Sequence, residues 1–119
     1  LLSSEEGKTD FYLEPNFWSS STIERSGNAV KVEVKARDVN KDIKEINPSL
    51  LIVDIEGGEK DLIPIIDFHQ IAKVIIEIHP HVIGNKEASS VIASLIESGF
   101  SISFADSGDN VFVFEKPSL

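Results

Sequence analysis

The sequence predicts an α/β domain, and three observations carry that prediction. Residues 50–55 and 73–79 are short apolar runs rich in β-branched side chains, as in parallel strands covered on both faces. Each is followed by a stretch with apolar residues at helical spacing. The chain closes on two alternating segments, 100–104 and 111–114, joined by Ser107-Gly108-Asp109-Asn110, a composition suited to a hairpin loop.

Taken in order, residues 1–9 read as the end of an element followed by a turn at Glu6-Gly7-Lys8. Residues 10–14 have strand composition, and Pro15-Asn16 stops them. Residues 17–21 form a loop with two aromatics and a serine run. From 29 to 35 the chain alternates, with Val30, Val32 and Val34 on one face and Lys31, Glu33 and Lys35 on the other. That is a half-buried strand with one wet side, typical of antiparallel pairing. Asp38 is placed to cap a helix over 39–46, which Asn47-Pro48 ends. The run 50–55 gives way to Gly57-Gly58-Glu59, which opens a short helix carrying Leu62, Ile63, Ile65 and Ile66, with Pro64 inside it. Asn85 is expected to cap a helix whose apolar stripe is Ala88, Val91, Ile92, Leu95 and Ile96, and Gly99 to stop it.

A chain of 119 residues makes one domain, 1–119, large enough for a proper core. Its net charge is −9, and its densest basic group (Lys31, Lys35, Arg37, Lys41, Lys44) is interleaved with Glu33, Asp38, Asp42 and Glu45. Blanket binding to a phosphate backbone needs clustered cations, so no nucleic-acid partner is expected. The absence of Cys excludes disulfides and thiolate metal sites. No apolar run reaches the ~20 residues of a membrane span. Leu1-Leu2 leads straight into Ser3-Ser4-Glu5-Glu6, without a leader pattern. No membrane association and a cytoplasmic location are the expectations. Met is absent, even at position 1, which suggests a piece of a longer protein.

Chemistry is expected where the two apolar runs end, because ligands of open α/β sheets bind outside the carboxyl ends of the strands. The first run ends in Asp54-Ile55-Glu56-Gly57-Gly58-Glu59, the second in Glu77-Ile78-His79-Pro80-His81. Asp54 and Glu56 either serve the positive end of a helix dipole or face a cationic ligand. Neighbouring carboxylates raise one another's pKa, which suits a base. Glu59 reads as a first-turn helix acid. Glu77 and His79 share one face of a strand, and Glu77 either pairs structurally or lines a site. An imidazole such as that of His79 titrates near neutrality and can take a proton from a hydroxyl. His79 and His81 with Asp54 and Glu77 also offer N and O donors for a divalent cation, and metal-dependent hydrolysis by Asp54, Glu56, His79 and His81 is left as an alternative. His-x-His spacing is common by chance, however, and no metal is expected. Phe17 and Trp18 read as core anchors or, with Ser19-Ser20-Ser21, as a substrate-facing loop. His69 reads as a surface residue.

Five segments carry a resemblance: Ser3-Ser4-Glu5-Glu6-Gly7-Lys8-Thr9-Asp10-Phe11-Tyr12, Ser19-Ser20-Ser21, Val30-Lys31-Val32 leading to Arg37-Asp38, Ile52-Val53-Asp54-Ile55-Glu56-Gly57-Gly58-Glu59, and Ile76-Glu77-Ile78-His79-Pro80. Together they resemble the C-terminal half of an S-adenosylmethionine-dependent methyltransferase of the FkbM type. The Asp-x-Glu-Gly-x-Glu block after an apolar strand is the most specific of them. The resemblance implies a partial Rossmann-like class I methyltransferase sheet with a C-terminal antiparallel hairpin and a β-rich N-terminal section. The family's first two strands, with their glycine-rich turn and ribose-binding acid, have no counterpart here.

By that resemblance Leu2 and Ser3 lie near the adenine of S-adenosylmethionine, and Asp54 and Glu56 wall the donor side. Asp54, Glu77 and His79 are the implied catalytic residues. Trp18, Ser20 and His81 would meet the acceptor, a hydroxyl of a sugar or small metabolite. The chain alone is expected to bind the cofactor negligibly. It would associate with the missing N-terminal half or with a second copy, because residues 50–55 want a neighbour on each side. A non-catalytic module that dimerises through a bare sheet edge is the other alternative.

Overall fold

A computed structural model describes residues 1–13, 27 and 30–117. Among the described residues, seven strands and three helices form a mixed α/β arrangement of two sheets. The expected substrate-loop residues Trp18 and Ser20 lie outside the described residues.

The first sheet is built from β1 (Leu2–Ser3), β2 (Gly7–Leu13) and β3 (Val30–Asp38), in the order β1-β3-β2. β2 runs antiparallel to β3 with Thr9 opposite Val34, and β1 runs parallel to β3 with Leu2 opposite Arg37. The alternation along β3 is as expected at Lys31, Glu33 and Lys35, which are exposed, and at Val32 and Val34, which are half-buried. Val30 is itself exposed, at the far end of the strand from the core. β2 begins at Gly7, three residues before the strand expected from composition. Pairing with β3 draws the Gly7-Lys8 pair into the ladder instead of leaving it as a turn.

Asp38 ends β3 and caps α1 (Val39–Ile46), its carboxylate accepting from the N–H groups of Asn40 and Lys41 at 3.0 and 3.3 Å. Arg37 donates from Nε and Nη2 to the two oxygens of Asp42, which clamps the strand end to the helix. Asn47 closes α1 in the left-handed conformation, its N–H returning to the Ile43 carbonyl.

The second sheet contains β4 (Leu50–Val53), β5 (Lys73–Glu77), β6 (Ser101–Ile102) and β7 (Val111–Glu115), in the order β4-β5-β7-β6. β4 and β5 are parallel, and β7 lies antiparallel between β5 and β6. The connection from β4 to β5 is α2 (Glu59–Leu62), which passes into a 3₁₀ turn at Ile63–Ile65. Pro64, with no N–H to continue the ladder, sits in that tighter turn. α3 (Pro80–Glu97) connects β5 to β6. It consists of two helical runs that meet at a break at Gly84 (φ 84°, ψ 162°). The run carrying the apolar stripe starts next to Asn85, where a start was expected, and a short run opened by Pro80, which suits a first helical position, precedes it. Its C-terminus is a Schellman arrangement: Gly99 N–H bonds the Ile96 carbonyl and Phe100 N–H bonds that of Leu95.

The closing hairpin turns at Asp109 and Asn110, both at positive φ, between Gly108 and Val111, which bond each other in both directions at 2.9 Å. This is a type I′ turn, whose twist matches that of paired strands. Only Ser101 and Ile102 of the expected 100–104 strand pair with β7. Beyond them Ser107 takes over. Its hydroxyl donates to the Ser103 carbonyl and accepts from Val113 N–H.

The core lies between this sheet and α2, α3 and α1. Val74, Ile76 and Phe114 of the central strands meet Ile63, Ile71, Val91 and Leu95, with Val39 and Ile43 at the α1 side. The stripe of α3 is as expected except Ile96, which is exposed. One expectation is corrected here. The apolar run 50–55 is not covered on both faces. Among the described residues β4 pairs only with β5, and Leu51 and Val53 face inward while Leu50 and Ile52 face out, Ile52 being 67% exposed. An apolar run reports strand formation, but whether each face is covered depends on the elements that pack against it.

Candidate functional site

The parallel register of β4 and β5 pairs Val53 with Ile76, so the next step along each strand sets Asp54 beside Glu77. The chain then bends sharply after each strand. After β4, Glu56 and Gly57 both take positive φ, and Gly58 N–H returns to the Ile55 carbonyl at 3.1 Å. Glu56 is an uncommon residue for that conformation, and the bend turns its carboxylate back toward the rim. After β5, Ile78 N–H bonds the carbonyl of Asn110 in the hairpin turn, and Pro80 starts α3 at once.

His79 is the centre of the rim and is held at every point but one. Only 3% of it is exposed. Its carbonyl accepts from Val82 and Ile83 N–H in the first turn of α3. Its own N–H donates to Glu59 Oε1 at 2.8 Å, and the same oxygen lies 3.1 Å from its Nδ1. Glu59 is fully buried, and its second oxygen accepts from Gly57 N–H at 2.9 Å. A carboxylate only accepts here, so Nδ1 carries the hydrogen and the ring is fixed in orientation. The remaining ring atom, Nε2, is buried and has no hydrogen-bond partner among the described residues. Around it stand Asp54 Oδ1 at 3.4 Å, Glu56 Oε1 at 3.5 Å and Glu77 Oε2 at 3.7 Å.

Four of the residues expected from sequence, Asp54, Glu56, Glu77 and His79, are thus brought to one rim. His81, exposed at the start of α3, stacks edgewise on His79 with ring centroids 5.7 Å apart. Leu2 and Ser3 belong to the other sheet and, among the described residues, make no hydrogen bond or ion pair with the rim. His69 is exposed, its N–H bonded to Asp67. Glu59 is the residue that sequence reasoning underrates. It does stand in the first turn of α2, but its carboxylate serves Gly57 and His79. The only sequence signal for it is an acid placed directly after Gly57-Gly58. Its partner lies twenty residues on.

Partial burial, and then the Asp54 carboxylate, push the Glu77 carboxyl above its ordinary value of 4.5, with Glu56 adding to the effect and His79 opposing it. A carboxyl raised in the fold binds its proton more tightly folded than unfolded. The stability this contributes is complete below the unfolded value and is lost as pH rises through the folded one. Glu77→Gln cannot ionise and escapes that loss. Wild type and variant are therefore expected to melt alike near ~pH 4, with the variant melting higher at ~pH 7. Thermal melts at the two pH values check this, and a variant that melts lower at neutral pH would contradict it.

No protein-family model, no curated protein and no solved structure matches the chain. Among the described residues no helix is long and apolar enough to cross a membrane.

Proposed function

We propose that the chain is part of an S-adenosylmethionine-dependent methyltransferase acting on a hydroxyl of a sugar or small metabolite. The observation that carries the proposal is the convergence of Asp54, Glu56, Glu77 and His79 at the carboxyl ends of two adjacent parallel strands. The resemblance of the segments around Asp54 and His79 assigns that rim to methyl transfer, and the reversed β7 beside β5 agrees with a Rossmann-like half-sheet closed by a hairpin.

The chemistry suits the groups. Methyl transfer to an oxygen is an in-line displacement at a cationic donor, and the protein aligns the reactants and removes the acceptor's proton. Glu59 holds the His79 ring by Nδ1 and leaves Nε2 directed into the rim, which is the arrangement of an oriented general base. The carboxylates of Asp54 and Glu56 favour a positive sulfonium beside them.

The test is transfer of a tritiated methyl group from S-adenosylmethionine to a panel of sugar and small-metabolite hydroxyls by the longest natural polypeptide carrying these residues. Labelled product is expected, formed about a hundredfold more slowly by His79→Gln. No transfer to any acceptor, together with no calorimetric binding of S-adenosylmethionine, would overturn the reading.

The exposed edge of β4 favours one second reading, a non-catalytic module that dimerises by edge pairing. Sedimentation separates the two, since a module of that kind sediments as a tight dimer.

A further inference from the structure

His79 Nε2 is a buried polar atom left unsatisfied in a fold that satisfies every other contact of the same residue. Leaving it so costs free energy, and the Asp54 and Glu77 oxygens beside it favour a positive charge at that point. We propose that this rim is a binding site for a divalent first-row transition cation, ligated by His79 Nε2, Asp54 and Glu77.

Three features of the geometry support the assignment. One donor atom from each of the three residues lies within 4.8 Å of the others. Ligands at ~2.0–2.2 Å from a tetrahedral ion stand about 3.4 Å apart. The separations from Nε2 to Asp54 and Glu77, 3.4 and 3.7 Å, are close to that edge, and Nε2 makes no hydrogen bond to either. Glu59 on Nδ1 supplies the carboxylate–imidazole–metal relay that fixes a ligating histidine and raises its donor strength.

The donor set selects the class of ion. One imidazole and two carboxylates suit Zn²⁺ and Mn²⁺, whereas Mg²⁺ prefers oxygen alone. Asp54 and Glu77 are partly exposed, so the far side of the ion would be open to water or to an oxygen of a ligand. His81, which the sequence offered as a ligand, is not one of the three residues. A cation on Nε2 would occupy the lone pair that the methyl-transfer reading gives to the acceptor's proton, so the two are alternative uses of this rim, and the test of the metal site contains neither cofactor nor acceptor.

The test is calorimetric titration of the whole 119-residue chain with Zn²⁺, Mn²⁺ and Mg²⁺, followed by nitrogen NMR of the imidazoles. One Zn²⁺ per chain is expected, bound more tightly than Mn²⁺, with Mg²⁺ weakest. Saturating Zn²⁺ is expected to raise the melting temperature by about 5 °C or more. The His79 Nε2 resonance should shift while its Nδ1 stays protonated. Asp54→Asn and Glu77→Gln keep the shape of partly exposed side chains, and each is expected to weaken Zn²⁺ at least tenfold. Glu59→Gln is expected to weaken it by about tenfold or more through the ring's orientation. Absence of stoichiometric Zn²⁺ binding would overturn the proposal. So would equal affinity in the Asp54→Asn, Glu77→Gln double variant, or NMR shifts confined to His69 and His81.

Discussion

Glu59→Ala is expected to lower stability by about 3–5 kcal/mol, a large share of what a domain of this size holds. The residue is fully buried, and its carboxylate serves three donors: Gly57 N–H, His79 N–H and His79 Nδ1. Alanine leaves two buried backbone N–H groups without acceptors and a cavity beside them, each a separate cost. It also unlatches the start of α2 from the start of α3, so the rim loosens with the fold. Glu59→Gln keeps the volume but offers one acceptor oxygen where three donors are waiting, and it turns an amide N–H₂ toward one of them. About half of the alanine effect is expected for it. Urea denaturation measures both. An alanine variant unfolding at the wild-type midpoint would mean that Glu59 does not hold the rim together.

Phe114→Ala is expected to cost about 3–5 kcal/mol through a different mechanism. Phe114 is fully buried in β7, opposite Val74 of β5 and Ile102 of β6. Its ring packs in the cluster with Ile76, Leu95 and Val91 under the sheet. Truncation removes the transfer free energy of the ring and leaves a void that neighbours held by strand pairing cannot close. At this chain length the loss corresponds to a fall of about 10–20 °C in melting temperature. Because the rim contacts do not involve Phe114, the unfolding cost should appear without a change in Zn²⁺ affinity of the folded protein. Calorimetric melts with and without Zn²⁺ separate the two effects, and a melting temperature within a degree or two of wild type would contradict the cavity argument.

Much of the local structure was legible before the fold. Asp38 caps α1 because a short acceptor side chain meets the first N–H groups of any helix that starts behind it. Gly99 ends α3 because only glycine takes φ near 100° without strain. Ser107-Gly108-Asp109-Asn110 contains its turn because Asp and Asn tolerate the left-handed region. The rim was legible in part. Asp54, Glu56, Glu77 and His79 are visible as polar residues at the ends of apolar runs, and the parallel pairing of those runs brings them together. Glu59 is the first-turn acid it was expected to be, but first-turn acids are usually solvated and nothing local marks this one as buried against His79. The strand expected to run to residue 104 was overextended for a similar reason. Pairing with a neighbour, not composition, decides where a ladder begins and stops.

The amino-acid order by itself determined which segments are strands and helices, where they turn, and that acids and imidazoles crowd the ends of two apolar runs. Those properties follow from backbone dihedrals, hydrogen-bonding side chains and side-chain periodicity, all of which act within a few residues. Only the tertiary structure decided that β4 is an edge with Ile52 outward, that Glu59 reaches His79, and that Nε2 is left facing three carboxylates. Each of these depends on register and burial between residues far apart in sequence, where a shift of one position would send every side chain to the other face.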